Sequence, residues 1–153
     1  MLPICKYTST MPITRPTLYP LPLIGWREDV CLLELGGALL VAKIDTGART
    51  AALHAENIRV SGHTVHFELQ GVSHQTFLSG SKCVKSSNGI SELRPIVETL
   101  IQVGAHRFSI VITLTDRADM EVPMLLGREA LKGRFVVNPA RSFILSRGKK
   151  RTT

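Results

Sequence analysis

The sequence predicts an all-β protein, a closed barrel with one short helix near its C-terminal end. Three observations predict it. Short apolar runs of strand length recur from residue 24 onward. Turn-forming groups, Gly36-Gly37, Ser61-Gly62-His63, Asn88-Gly89 and Gly104-Ala105, punctuate those runs at hairpin spacing. Only one stretch, Arg128 to Lys132, has a helical character, and Gly133 stands where a helix can stop. Many short strands with a single short helix build a barrel rather than alternating α/β layers. No internal repeat and no second domain is visible.

The elements follow in order. Residues 1–22 hold five of the eight prolines, so neither ladder nor helix can run through them, and they read as an extended Pro-rich arm. The folded part begins near Ile24-Gly25-Trp26 and covers residues 23–146. Asp29 to Leu35 and Ala38 to Ile44 form the first hairpin about Gly36-Gly37. Thr50 to His54 is a turn or the start of a further strand. Ile58 to Val60 and Thr64 to Leu69 form a second hairpin, with alternation in its second arm. Residues 70–92 are rich in Gly, Ser and Asn and carry no clear strand signal. Arg94 to Val103 and His106 to Leu114 form a third hairpin. Arg134 to Val137 and Ser142 to Leu145 are expected as closing strands around Asn138-Pro139. Trp26 and the phenylalanines are expected in the core.

Composition bounds the function class. A chain of 153 residues, 44% apolar, suits one domain with a real core. No run approaches the length of a membrane span, and the proline-broken N-terminal residues lack the order of a signal peptide. The expectation is a cytoplasmic protein without membrane contact. Three widely spaced cysteines, Cys5, Cys31 and Cys83, fit free thiols rather than a disulfide framework or a Cys-x-x-Cys metal site. The first 22 residues carry +2 and the basic tail, residues 147–153, carries +4, so the domain between holds only +1 of the total +7. Charge confined to two ends, with no basic and aromatic stripe between them, does not predict nucleic-acid binding.

Asp45-Thr46-Gly47-Ala48 carries the chemistry. It follows the apolar run Ala38 to Ala42 and Lys43-Ile44, and Met124-Leu125-Leu126-Gly127-Arg128 follows roughly eighty residues later. An Asp-Thr-Gly leaving a strand, with a later apolar pair, Gly and a short helix, is the skeleton of half an aspartic-protease site. Gly47 lets the backbone turn and approach closely, and Thr46 supplies a hydroxyl for the loop. The chain has one such tripeptide. The site therefore calls for a homodimer, each copy supplying one carboxylate. Two carboxylates about 3 Å apart cannot both ionise readily, so such a pair shares a proton. One partner then takes a proton from a bridging water while the other donates to the amide carbonyl.

The run Val41 to His54 resembles the bacterial and archaeal retropepsin-like proteins labelled ATP-dependent zinc proteases. Gly25-Trp26-Arg27-Glu28, Glu92-Leu93-Arg94-Pro95-Ile96-Val97, Leu114 to Met120, Met124 to Leu131 and Phe135 to Ser142 add to the resemblance, in the same order. It covers roughly residues 24–146. It implies a retropepsin-like acid-protease barrel, and a peptide or protein substrate. Association of such proteins with ATP-grasp glutamate ligases implies oligoglutamate or other acidic tails. No Walker-type Gly-x-x-x-x-Gly-Lys accompanies the label.

One departure bears on specificity. Retroviral proteases carry an acid four residues after the catalytic Asp, paired with the Arg that follows the second Gly. Here that place is Arg49, facing the expected position of Arg128. Either Arg128 finds another acid, Asp116 or Asp119, or Arg49 turns to the cleft, where a cation suits an acidic substrate; a plain surface arginine is the other reading. The candidate residues are thus Asp45, Thr46 and Gly47 for catalysis, and Arg49, Arg94 and Arg128 for substrate. Gly71 to Gly89 is the candidate flap, or else a loop without that role. No cofactor and no metal are expected: His63 and His66 point to opposite faces if on a strand, and a site from His54, His74 and Cys83 is the residual metal possibility. The rival function class is a non-catalytic peptide-binding or regulatory domain that keeps the fold.

Overall fold

The computed structural model describes residues 20–85 and 89–146. The Pro-rich arm up to residue 19 and the basic tail from residue 147 lie outside the described residues. Twelve strands and one helix follow in order: β1 (Leu23–Gly25), β2 (Arg27–Leu32), β3 (Ala38–Ile44), β4 (Ala51–His54), β5 (Glu56–Ser61), β6 (Thr64–Leu69), β7 (Val72–Phe77), β8 (Gly80–Lys85), β9 (Ser91–Val103), β10 (His106–Thr115), β11 (Met124–Leu126), α1 (Arg128–Leu131) and β12 (Val136–Asn138).

The main sheet runs β10-β4-β11-β3-β2-β9-β8, and β9 also pairs with β10. That extra pairing closes six strands into a barrel and leaves β8 as the free arm of a hairpin on β9. Closure removes the edges that an open sheet would expose. A three-stranded sheet, β5-β6-β7, and a parallel pair, β1-β12, complete the fold. The expected all-β barrel with one short C-terminal helix is what the chain forms.

Alternation explains the core. In β3, Leu40, Ala42 and Ile44 point inward, and in β2 every second residue is buried. Leu53, Ile101, Ile112, Leu114, Met124 and Leu126 fill the centre without solvent access. Burying each such large side chain contributes about 1.5–3 kcal/mol.

One inward position of β2 breaks the apolar pattern. Glu28 is fully buried. Its carboxylate accepts hydrogen bonds from the amides of Gly25 (2.8 Å), Ile144 (2.9 Å), Leu145 (3.1 Å) and Ser146 (3.1 Å), and from the Ser146 hydroxyl (2.5 Å). A buried carboxylate persists only when its lone pairs are filled. The segment after β12 is what fills them. It runs as a strap rather than the strand expected at Ser142 to Leu145. Its fit is close: a Cβ on Gly25 would lie 2.7 Å from the Arg141 carbonyl oxygen, and one on Gly104 2.7 Å from that of Leu145.

Three other local expectations need correction. Most of residues 71–85 are not loop but two strands, β7 and β8, of edge type: among the described residues β7 pairs only with β6 and β8 only with β9. Gln70 and Gly71, both at positive φ, make the tight turn between β6 and β7. The first hairpin strand ends at Leu32, not Leu35. Phe77 is not core. It lies exposed at the end of β7, stacked on His63, and Trp26 is only half-buried, under the Arg27 guanidinium.

Candidate active site

β3 ends at Ile44 and hands Asp45 to a loop that crosses to β4. The two strands are not neighbours. β11 lies between them, parallel to β3 and antiparallel to β4. The loop from Asp45 to Thr50 must therefore pass over the end of β11. Gly127 sits under that crossing: a Cβ there would lie 2.5 Å from the Thr50 carbonyl oxygen and 2.8 Å from the Arg49 carbonyl carbon. The glycine is required by space alone, since its φ of −80° suits any residue.

Residues 126–129 then fasten the loop. The Asp45 amide donates to the Leu126 carbonyl (2.9 Å), the Arg128 amide to the Ala48 carbonyl (2.9 Å), and the Glu129 amide to the Arg49 carbonyl (3.0 Å). The Arg128 guanidinium adds two bonds from one nitrogen, Nη1, to the carbonyls of Thr46 and Gly47, both 3.0 Å. The first amides of a helix have no partner inside it, and here the loop carbonyls serve. Both partners of Asp45 Oδ1 are loop amides, Gly47 at 2.9 Å and Ala48 at 3.1 Å. The carboxylate is thus held at one oxygen on a half-buried residue, at the rim of the barrel. Thr46 and Gly47 beside it are exposed.

The arginines are placed differently from one another. Among the described residues Arg128 pairs with no acid: it supports the loop, so the expectation of Asp116 or Asp119 as its partner is corrected, and Asp119 faces Arg117 instead. Arg49 is neutralised by Glu129, with Nε to Oε1 at 2.8 Å. The pairing described for retroviral proteases is therefore present with its polarity reversed and displaced by one residue. Arg94 is buried on β9 with Nε on Glu92 (2.8 Å), and Glu92 also accepts weakly from the Thr115 hydroxyl (3.4 Å). Sequence reasoning gave no role to Glu129. The signal was present in the charge opposite to Arg49, directly after Arg128.

The hairpin β8–β9 approaches the same loop. Lys82 Nζ donates to Thr50 Oγ1 at 3.2 Å. Within the candidate flap, Gly71 to Gly89, this arm thus reaches the Asp45 loop; residues 86–88 lie outside the described residues. Of the residual metal set, His54 accepts from the Arg117 amide, His74 stacks on Phe67, and Cys83 is exposed on β8. Among the described residues no three His, Cys, Asp or Glu side chains converge as a metal site, and no helix is long and apolar enough to cross a membrane.

A groove of about 530 Å³ opens beside the loop, from Thr46 along α1 to Val137. Its walls carry Arg49, Arg128, Lys132 and Glu129, with Leu131 and Phe135 apolar beneath.

The Asp-Thr-Gly loop of this chain is clamped at the rim of a closed barrel. A family model described as "Retropepsin-like aspartic endopeptidase RimB" matches residues 23–148. The chain belongs to this RimB-like family. Among curated relatives, "Probable alpha-L-glutamate ligase" of Shewanella halifaxensis is 36% identical over 135 residues, covering 80% of this chain and 30% of its own. A protein of the same name from Desulfotalea psychrophila is 33% identical over 130 residues, covering 77% and 28%. The chain therefore spans under a third of the length of these relatives. A crystal structure of a Legionella pneumophila protein of unknown function is 29% identical, with a TM-score of 0.67 over 81% of this chain and 98% of that one.

Proposed function

We propose that this RimB-like chain is a homodimeric aspartic peptidase in which Asp45 of each copy forms the catalytic pair. The observation that carries the reading is the Asp45 loop. Five hydrogen bonds, four donated by Arg128 and Glu129 and one accepted by the Leu126 carbonyl, hold it, and both amides on the carboxylate bind Oδ1. Oδ2 is then the oxygen that meets the bridging water and the partner's carboxyl. Thr46 and Gly47 keep the loop in shape, and Thr46, being exposed, faces the second copy. A rigid carboxylate costs no reorganisation when charge develops.

The substrate in this reading is an acidic peptide or protein tail. Cations outnumber acids three to one in the groove beside Thr46, and the curated relatives are named for glutamate ligation. The chain would then hydrolyse, in the cytoplasm, what an ATP-grasp glutamate ligase adds. Arg49 and Arg128 belong to the groove's cationic lining, and Arg94 lies with its Glu92 partner inside the hairpin. Zinc has no part in this mechanism, and a chelator should leave activity unchanged.

A second reading has an observation of its own. The matching relatives carry this region within longer chains named as ligases, which suits a non-catalytic domain that binds a glutamate tail. One experiment separates the two. Purified protein is incubated with a fluorogenic glutamate-tailed peptide, and its mass is followed by sedimentation equilibrium. Cleavage by a dimer, lost in Asp45→Asn with the melting temperature kept, supports the peptidase. Tight binding without cleavage by a monomer supports the binding domain.

A further inference from the structure

The hairpin β8–β9 carries charge on the face turned to the barrel. Lys82 stands opposite Arg94 in register, and Glu92 lies opposite Val84. Glu92 is taken by Arg94 Nε. Lys82 makes no ion pair among the described residues. Its one side-chain hydrogen bond among those residues is to Thr50 Oγ1. An ammonium has three donors, so two remain for a ligand.

Thr50 is as firmly placed as any residue of the site. Its carbonyl lies against Gly127, and it ends the loop that begins at Asp45. Lys82 and Thr50 therefore form a polar corner between the hairpin and the catalytic loop, five residues along the chain from Asp45. The three arginines of the site are already engaged: Arg49 with Glu129, Arg94 with Glu92, and Arg128 with two loop carbonyls, and Lys132, on the groove wall, is exposed where Lys82 is half-buried. A half-buried ammonium without a counter-charge favours an anionic partner over a neutral one of the same shape.

We propose that Lys82 Nζ and Thr50 Oγ1 form the subsite that takes an acidic side chain of the peptide, set apart from the scissile bond. Lys82 is thereby a specificity-determining residue. The peptidase reading supplies only the substrate class; the charged corner exists without it.

The test uses two peptides that share a scissile bond, one with a glutamate tail and one with a glutamine tail. Wild type favours the glutamate peptide. Lys82→Gln brings the ratio of the two kcat/KM values down by about tenfold, chiefly through KM, as expected for one lost charge-assisted contact. Lys82→Arg keeps most of the preference, and unchanged melting temperatures show that both variants fold. A preference that survives Lys82→Gln, or an equal loss on both peptides, overturns the proposal. Fluorescence anisotropy of the same peptides on Asp45→Asn protein, with and without Lys82→Gln, gives a second readout. If no cleavage occurs but glutamate binding still depends on Lys82, the peptidase reading falls and the subsite stands. If neither protein distinguishes the peptides, the subsite is wrong.

Discussion

Gly127 lies so close beneath Thr50 that a Cβ would sit 2.5 Å from the Thr50 carbonyl oxygen. That contact ties the two halves of the motif, Asp45-Thr46-Gly47 and Leu125-Leu126-Gly127, into one object. The loop must cross β11 to join β3 to β4, and only a residue without a side chain lets it pass.

Gly127→Ala should therefore lift the loop off β11. Overpacking against backbone, which cannot rotate away, costs about 1–3 kcal/mol. Chemical denaturation should show that loss. Activity should fall by more than stability, because the displaced atoms carry Asp45. A fully stable Gly127→Ala protein would mean the crossing tolerates a methyl group.

Arg128 acts on the same loop from the side chain. Arg128→Met should remove both bonds to the Thr46 and Gly47 carbonyls. Each net hydrogen bond is worth about 0.5–1.5 kcal/mol. Hydrogen exchange at the amides of residues 46–48 should rise sharply while the core stays protected. If Arg128 instead serves only as a substrate cation, exchange in the loop will not change without peptide.

Arg49 and Glu129 form an exposed pair. A double-mutant cycle should give a coupling of only about 0.2–1 kcal/mol, shrinking as salt is added. A much larger coupling would show that the pair is shielded, for example by a second copy.

Glu28 holds the strap that closes the C-terminal end of the domain. Glu28→Ala strands four amides in a dry site, and a loss of roughly 3 kcal/mol is expected. Glu28→Gln should recover part of it, since one amide oxygen still accepts. Both are read by thermal melting, with proteolysis reporting release of residues 140–146. An unperturbed melting temperature in Glu28→Ala would contradict this role.

The barrel was legible because its central strands bury alternate apolar residues, as at Leu40, Ala42 and Ile44. The Asp45 loop was legible because strand, turn and the later glycine each need a particular residue type. The edge strands β7 and β8 were not. Their side chains are half-exposed and mostly polar, so backbone pairing defines them and leaves little trace in composition. The strap was misread as a strand because Phe143-Ile144-Leu145 is apolar, while the partner that decides its path, Glu28, lies more than a hundred residues away. Reversal of charge at Arg49 and Glu129 was half visible: the cation stood out, but an acid was sought for Arg128 and not for Arg49, and Glu129, directly after Arg128, was passed over.

The central claim is that each chain supplies one Asp45 to a shared site. Wild-type and Asp45→Asn chains, co-refolded in varied ratios at fixed total concentration, test it directly with a glutamate-tailed peptide. If two wild-type chains are needed, activity falls as the square of the wild-type fraction. A straight-line fall, with each wild-type chain active whatever its partner, would contradict the account.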